Sequence, residues 1–555
     1  MKFSLMPLLL VAASLVIFQP ALAQQTVGLF SYNPASSYNG LTLFSPIPSK
    51  NTFLLDNCGR EVHRWQSTYQ PGHSVYLLND GSILRAGLNK SAAFQQGAGG
   101  GGVVERIAWD GTVLWSYAIA NDSLCQHHDI HPMPNGNVLM IVWEKKTNAE
   151  LKAIGCTTTL AELFFERIME VKPTGATTGD VVWQWRVWDH LVQETDSSKP
   201  FYGIVREHPE LLNVNHIGGS QRLEFIHANG MDYNADLDQI VISCHVNNEI
   251  FIIDHSTTSA EAASHKGGRS GKGGDLLFRW GNPFIYGAGA ESDFRLTKQH
   301  TPYWIPKGYP DAGKIMVFNN HALGNIQTNG RVSSVDIINA VPDATGNYPM
   351  QNGRFLPDSA EWRYFATPPT DFFSLNISGA QRLPNGNTLI CSGARGIFFE
   401  INPAKETVWR YVNPVGVNGD PTKQGAMPTN NIVFRATRYG YDHPAFAGKT
   451  LVGGKPLELE PLASTCEVPT SVAEPTDASS SVTLSPNPAS EELHLHRAPS
   501  QEQLVCFIVN TLGVQVQSFV VSGESAAYTI TTSALPSGAY RLNAGSTSIP
   551  FLIVR

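Results

Sequence analysis

The feature that most constrains this chain is a stretch that repeats. Ser378 to Pro414, SGAQRLPNGNTLICSGARGIFFEINPAKETVWRYVNP, divides by its own punctuation into four short strands: Gly379 to Pro384, Asn387 to Ser392, Ile397 to Asn402 and Thr407 to Val412. The breaks fall at Asn385-Gly386, Ala394-Arg395-Gly396 and Pro403-Ala404-Lys405. Gly and Asn accept left-handed backbone and Pro presets a turn angle, so these combinations bend the chain sharply. Four strands A to D joined by such turns make an antiparallel meander, and about 35 residues of it is one propeller blade.

The A-to-B turn recurs upstream at Asn79-Asp80-Gly81, Asn135-Gly136-Asn137, Asp236-Leu237-Asp238 and Asp311-Ala312-Gly313. The strand D aromatic recurs at Trp65, Trp115, Trp183 with Trp185, Trp280, Trp362 and Trp409. Turn and Trp come in the same order each time, which predicts an all-β fold, a six-bladed β-propeller followed by a small C-terminal β-sandwich. The first blade, Leu41 to Trp65, is one strand short; Asn431 to Tyr439 is expected to complete it and close the ring.

Lys2, the apolar run Leu8 to Phe18 and Ala21-Leu22-Ala23 read as a secretory signal over 1–23, cleaved after Ala23. No later stretch approaches the roughly 18 apolar residues of a membrane span, so a soluble, exported protein without a span is expected. A net charge of −8 with 15% charged residues offers no basic footprint for nucleic acid. The seven cysteines contain no CxxC pair, which argues against a zinc ribbon or redox motif; Cys125 with Cys156 is the expected disulfide.

The propeller body is expected to span 24–462. Residues 463–481, ASTCEVPTSVAEPTDASSS, lack periodicity and read as a linker. Alternating strands follow at Glu492 to His496, Leu504 to Asn510, Val514 to Val521, Tyr528 to Thr532, Gly538 to Asn543 and Pro550 to Val554. The order Ser485-Pro486-Asn487-Pro488-Ala489-Ser490, Asn510-Thr511-Leu512-Gly513, Leu535-Pro536-Ser537-Gly538-Ala539-Tyr540 and a hydrophobic last strand resembles the type A sorting domain of the type IX secretion system of Bacteroidetes. The resemblance implies that 482–555 is a sorting domain, with the type IX machinery as partner and release or attachment at the cell surface as destination.

Strand polarity locates the chemistry. Each B strand returns antiparallel to A, so the starts of A strands and the B-to-C turns share one rim. His73, His128, His227 and His300 sit at or near A-strand starts, and His245, His321 and Arg395 at B-strand ends. The basic loop His265 to Gly274 falls between C and D on the opposite rim. It also fails as a P-loop, because Lys266 stands where the first Gly is required and Gly273 where Ser or Thr must follow the Lys. HHDIH, His127 to His131, lies on a strand without helical metal-ligand spacing, so no metal is expected there. A channel mouth rich in imidazole suits chemistry on an anion: one neutral ring attacks, a second carries the proton, and cations hold the oxygens.

Trp188-Asp189-His190-Leu191-Val192-Gln193, Tyr202-Gly203, His208-Pro209-Glu210-Leu211, Phe225-Ile226-His227-Ala228-Asn229, Asp232-Tyr233-Asn234, Gln299-His300 and Val317-Phe318-Asn319-Asn320 together resemble the bacterial arylsulfate sulfotransferase family. The resemblance implies a six-bladed propeller that moves a sulfuryl group from a phenolic ester to another phenol through a sulfated histidine, with no nucleotide donor and no cofactor. It carries His227 and His300 over as catalytic, with Asn229 in the His-x-Asn motif. By position His128, His321 and Arg395 join the catalytic set, while Asn229, His245 and His73 are expected to bind substrate. Two departures stand out. The expected nucleophile position falls near Asn376, which cannot be sulfated, and His321-Ala322-Leu323 replaces an expected arginine. A second class of function therefore stays open, a non-catalytic secreted propeller that holds an anionic glycan or phenolic ligand.

Overall fold

Strands form where the turn residues end and β-branched and aromatic residues begin, and within most sheets consecutive strands pair antiparallel. The computed structural model describes residues 24–216, 223–322, 331–468, 482–497, 503–510, 515–522, 525–544 and 547–555. The expected export signal, 1–23, lies outside them. Two compact units divide the chain, Met1–Pro469 and Thr470–Arg555.

The first unit contains six antiparallel meanders among the described residues. Sheet 1 is Val433–Gly440, Gly40–Pro46, Asn51–Leu55 and Glu61–Gln66, so a late strand supplies strand A to an early sheet. Sheet 2 is Pro71–Leu77, Ile83–Leu88, Gly102–Ile107 and Val113–Ala118; sheet 3 is Leu124–Pro132, Val138–Thr147, Glu162–Pro173 and Gly179–Arg186. Sheet 4 is Ala228–Asn234, Gln239–Cys244, Glu249–Asp254 and Phe278–Trp280; sheet 5 is His300–Trp304, Ile315–Asn319, Ser334–Ile338 and Trp362–Tyr364. Sheet 6 is Gly379–Arg382, Thr388–Ser392, Ile397–Ile401 and Thr407–Val412, with Gly28–Tyr32 as a fifth, outer strand.

Gln239–Cys244 and Glu249–Asp254 are buried along their whole length because both faces of a sheet are covered by its neighbours. Apolar clusters lie between successive sheets. Leu43, Leu54 and Trp65 of sheet 1 meet Val75, Ile83 and Ile107 of sheet 2, and Phe398 and Trp409 of sheet 6 meet Phe44 and Phe53 of sheet 1. Strand A of sheet 1 accordingly neighbours strand A of both sheet 2 and sheet 6.

The strand D tryptophans explain the register. Trp115, Trp183 and Trp409 occupy equivalent points, each opposite the strand C residue that precedes a bulge, namely Arg106, Glu170 and Glu400. Each indole reaches the C-to-D connection of the next sheet. Trp115 Nε1 donates to Thr178 O at 3.0 Å, Trp183 Nε1 to Thr257 Oγ1 at 3.1 Å and Trp280 Nε1 to Pro357 O at 2.7 Å. Trp409 Nε1 donates to Asn57 O at 2.7 Å, from the last sheet to the first. Trp362 carries Lys405 above its ring, and Trp65 packs edge-on to Trp109.

The second unit has two sheets, Thr483–Ser485, Glu492–His496 and Ala527–Thr531 against Gln515–Val521, Leu504–Asn510, Gly538–Ala544 and Thr547–Ile553. They share one core that includes Leu493, Leu495, Ile508, Ile530, Leu542 and Phe551. No helix among the described residues is long and apolar enough to cross a membrane.

The disulfide differs from the expected one. Cys58 and Cys466 are bonded, with Cα atoms 5.7 Å apart and a sequence separation of 408. Cys125 and Cys156 are buried free thiols. They belong to different cores: Cys125 packs with Phe94, Trp143 and Phe164, whereas Cys156 packs on the sheet 3 and sheet 4 side. Cys466, assigned to the linker by composition, is thereby fastened to the C-to-D turn of sheet 1. A bond closing so long a loop stabilises by restricting the unfolded chain, so Cys466→Ser is expected to lower unfolding free energy by about 2–4 kcal/mol. Urea unfolding of the oxidised parent and the variant checks this; coincident midpoints refute it.

Candidate functional site

Strand A begins with an unusual backbone in several sheets, and that backbone aims its side chains. Positive φ occurs at His73 (104°), His128 (51°), His227 (50°), Thr301 (51°) and Ser378 (91°). Register shifts lie beside the entries to sheets 2, 3, 4 and 5. Side chains other than Gly adopt such angles at a cost of about 1–3 kcal/mol each, and the surrounding sheets have to hold them there.

The outcome is an unbroken row of imidazoles. Ring centroids are 5.0 Å apart for His73 and His128, 4.7 Å for His128 and His227, 4.9 Å for His227 and His245, and 5.6 Å for His245 and His300. Four of the five come from at or near the starts of strand A, and one, His245, from just past the end of strand B in sheet 4.

Hydrogen bonds fix the ring states. His300 Nδ1 donates to Asn320 Oδ1 at 2.7 Å, so its Nε2 accepts from Ile377 N at 3.2 Å. Asn320 is held in turn by its Nδ2, which donates to Ser374 O and Ile377 O. His73 Nε2 accepts from Gly100 N at 3.0 Å. His127 Nδ1 meets His128 Nδ1 at 2.9 Å, and its ring stacks 3.9 Å from Trp143. His227 Nδ1 lies 3.9 Å from Glu224 Oε1. Burial, then the neighbouring imidazoles, pull His128 well below its usual range and His73 to about 3. His300 falls to about 3 as well, through burial, although its bond to Asn320 opposes the shift. These rings are neutral near pH 7.

Asn229 is fully buried, and its Nδ2 donates to Gln299 O at 2.8 Å; it thus holds the strand that carries His300. His321 stands edge-on to Phe373 at 5.3 Å, and its ring Nε2 is 3.2 Å from Leu375 O. Arg395 is exposed after strand B of sheet 6 and has no acidic partner among the described residues. Asn376 is exposed in the segment whose Ile377 amide caps His300. Among the described residues HHDIH brings no three metal-ligand atoms together.

Four contributors escape the sequence: His127, Glu224, Glu166 and a glycine run. His127 was set aside as part of a metal-like motif. Glu224 and Glu166 are buried carboxyls behind His227; Glu166 Oε1 accepts from Ala228 N at 3.0 Å. The glycine run Gly97 to Gly102 lies directly on the rings. A Cβ at Gly99 would sit 2.1 Å from His128 Cε1, and one at Gly101 would sit 2.3 Å from Gln126 O. That run was the signal available in the sequence: only glycine lets a strand of backbone press this closely on side chains.

A family model described as arylsulfotransferase (ASST) matches residues 31–338, and one described as a secretion system C-terminal sorting domain matches residues 483–550. No curated protein matches the chain. Solved structures similar to it include a protein of unknown function from Bacteroides caccae, at 12% identity and TM-score 0.39, covering 72% of this chain and 98% of the other. A putative 6-phosphogluconolactonase from Bacteroides fragilis is similar at 11% identity and TM-score 0.33, covering 73% and 100%. A streptogramin B lyase is similar at 12% identity and TM-score 0.34, covering 75% and 96%.

Two opposed titrations follow from the burial. A depressed histidine leaves the folded chain with fewer protons than the unfolded one, so His73 and His300 contribute full stability above about pH 6.5 and lose it as pH falls towards 3. Glu166 is the reverse. Burial raises its carboxyl to about 8, so the unfolded chain sheds a proton that the folded chain keeps, and stability falls as pH rises from 4.5 towards 8. Glu166→Gln is expected to flatten that alkaline loss and leave the acid limb unchanged. Urea midpoints between about pH 5 and 8 measure it; an unaltered alkaline slope would show that Glu166 is not the neutral acid described.

Proposed function

The chain belongs to the arylsulfotransferase family, and from that membership we propose that it moves a sulfuryl group between phenolic esters and phenols at the row of imidazoles. In this reading the six meanders form a closed six-bladed propeller, with the imidazole row at one mouth of its channel. The observation that carries it is the contiguity of His73, His128, His227, His245 and His300, every neighbouring pair within 5.6 Å.

His227 is the nucleophile we assign in place of Asn376. Its Nδ1 faces Glu224, and its Nε2 makes no hydrogen bond among the described residues, whereas both nitrogens of His300 are engaged. Glu224, itself 4% exposed, orients the ring and offsets the positive charge that forms on attack. Nε2 bonds to sulfur as the aryl C–O–S bridge breaks at its S–O bond, and the departing phenolate takes a proton relayed along the row. The acceptor phenol then loses its proton to a neighbouring imidazole and attacks sulfur, which breaks the S–N bond and restores His227. Sulfuryl transfer, like phosphoryl transfer, has a loose transition state, so positioning and charge stabilisation supply most of the rate. Arg395, exposed on the same rim, is the cation we assign to the sulfate oxygens. Asn376, exposed beside His300, lies where substrate enters.

The match of the C-terminal unit to a secretion-system sorting domain supports secretion or cell-surface export. We propose that the tail serves export alone. A chain truncated after Val468, which keeps Cys466, is expected to retain the parent's urea midpoint; loss of folding in the truncated chain would count against the proposal.

Turnover of a chromogenic aryl sulfate with and without a phenol acceptor tests the chemistry. His227→Ala and His300→Ala are each expected to lower the rate by at least about 10²-fold, and Lys266→Ala on the opposite rim to leave it within error. If the parent consumes no aryl sulfate but binds one, and His227→Ala weakens that binding, the site is a binding site. If neither substitution changes turnover or binding, the assignment of the site is wrong.

A further inference from the structure

A second histidine group lies away from the imidazole row, on connections between strands C and D and after strand D. His190 follows the outermost strand of sheet 3, and His265 and Asp275 bracket the glycine-rich loop of sheet 4. His190 Nδ1 is 2.9 Å and His265 Nδ1 2.7 Å from one oxygen, Asp275 Oδ1, and the three atoms lie within 4.8 Å of one another. We propose that these three residues bind a divalent transition-metal cation of the zinc type.

The ring state of His190 carries the argument. Its Nε2 donates to Ala262 O at 2.8 Å, so in the neutral ring Nδ1 presents a lone pair to the carboxylate oxygen of Asp275. Two lone pairs at 2.9 Å repel unless a proton or a cation lies between them. The surroundings favour the cation. A metal-bound histidine ordinarily gives its other N–H to a carbonyl, which fixes ring and tautomer, and Ala262 O is that carbonyl. His190 is 0% exposed and stacks on Trp185, whose Nε1 donates to Gly274 O at 2.7 Å. Gly274 has no space for a side chain, because a Cβ there would lie 2.1 Å from Ala262 O and 2.5 Å from His190 Nε2. Gly267 and Gly273, at φ 108° and 61°, fold the loop back so that His265 returns to Asp275 ten positions later.

Two imidazole nitrogens and one carboxylate oxygen suit zinc, which takes N and O ligands at about 2.0–2.2 Å in a tetrahedron. The exposed side of His265 leaves the fourth position to water. Such an ion fastens the sheet 4 loop to the end of sheet 3, next to the contact of Trp185 with Gly274, and it takes no part in sulfuryl transfer. The basic residue Arg269 is turned away, with its Nη1 donating to Asp236 O and Leu237 O.

The test uses the full chain, stripped with a chelator and titrated with zinc chloride by calorimetry, with metal counted by mass spectrometry. One equivalent is expected, together with a melting temperature that rises as zinc is added. His265→Gln, at an exposed position that tolerates exchange, and Asp275→Asn are each expected to weaken binding by at least about 100-fold. His128→Ala, in the imidazole row, is expected to leave the equivalent in place. Zinc that stays bound in His265→Gln but is lost in His128→Ala overturns the proposal by moving the ion to the row. Absence of binding at millimolar zinc overturns it too and leaves a proton between His190 and Asp275. Aryl sulfate turnover decides neither outcome, so this test stands apart from the test of the reaction.

Discussion

The fold depends on each outer-strand tryptophan finding the C-to-D connection of the sheet that follows. A buried Trp removes about 150–250 Å² from water, whereas its N–H bond contributes about 1 kcal/mol net. Packing therefore supplies the stability and the hydrogen bond sets the register. Because Trp115, Trp183, Trp280 and Trp409 all reach forward, and Trp409 reaches Asn57 on the first sheet, no sheet buries its own faces alone. The Cys58–Cys466 bond reinforces the turn that Trp409 grips.

That packing is what allows strain at the strand entries. The left-handed angles of His73, His128 and His227 persist because the strands that carry or follow them are mostly buried and each pairs with strand B of its sheet. The same angles turn the imidazoles towards one another, and the glycine strap Gly97 to Gly102 closes over them. Burial then keeps His73 and His128 neutral, the state in which a nitrogen can carry a proton.

Histidines in this chain have opposite electrostatic fates for reasons of neighbourhood alone. His300, surrounded by amides and other imidazoles, is driven down to about 3. His255 is also largely removed from water, which pulls it down, yet bonds to Asp238 and Glu170 raise it to about 9. Nothing in the local sequence of either residue separates the two cases. The carboxylates that decide them come from a turn of the same sheet and a strand of the neighbouring one.

The meander pattern, the Asn-Gly turns, the strand D tryptophans and the sharp change of composition near residue 463 are local properties, readable wherever backbone preference and side-chain alternation fix the answer within a few residues. They located the strands whose ends carry His73, His128, His227, His245 and His300, five rings that the structure brings side by side. The family resemblance rested on short motifs of the same local kind. Distance across the chain decided the rest. Cys58 finds Cys466 over 408 residues, Glu224 backs His227, Asn229 holds Gln299, and His190 meets His265 and Asp275. Such pairs carry no mark in sequence, because they depend on where whole sheets come to rest against one another, and a contact between sheets exists only after each has been packed by its neighbour.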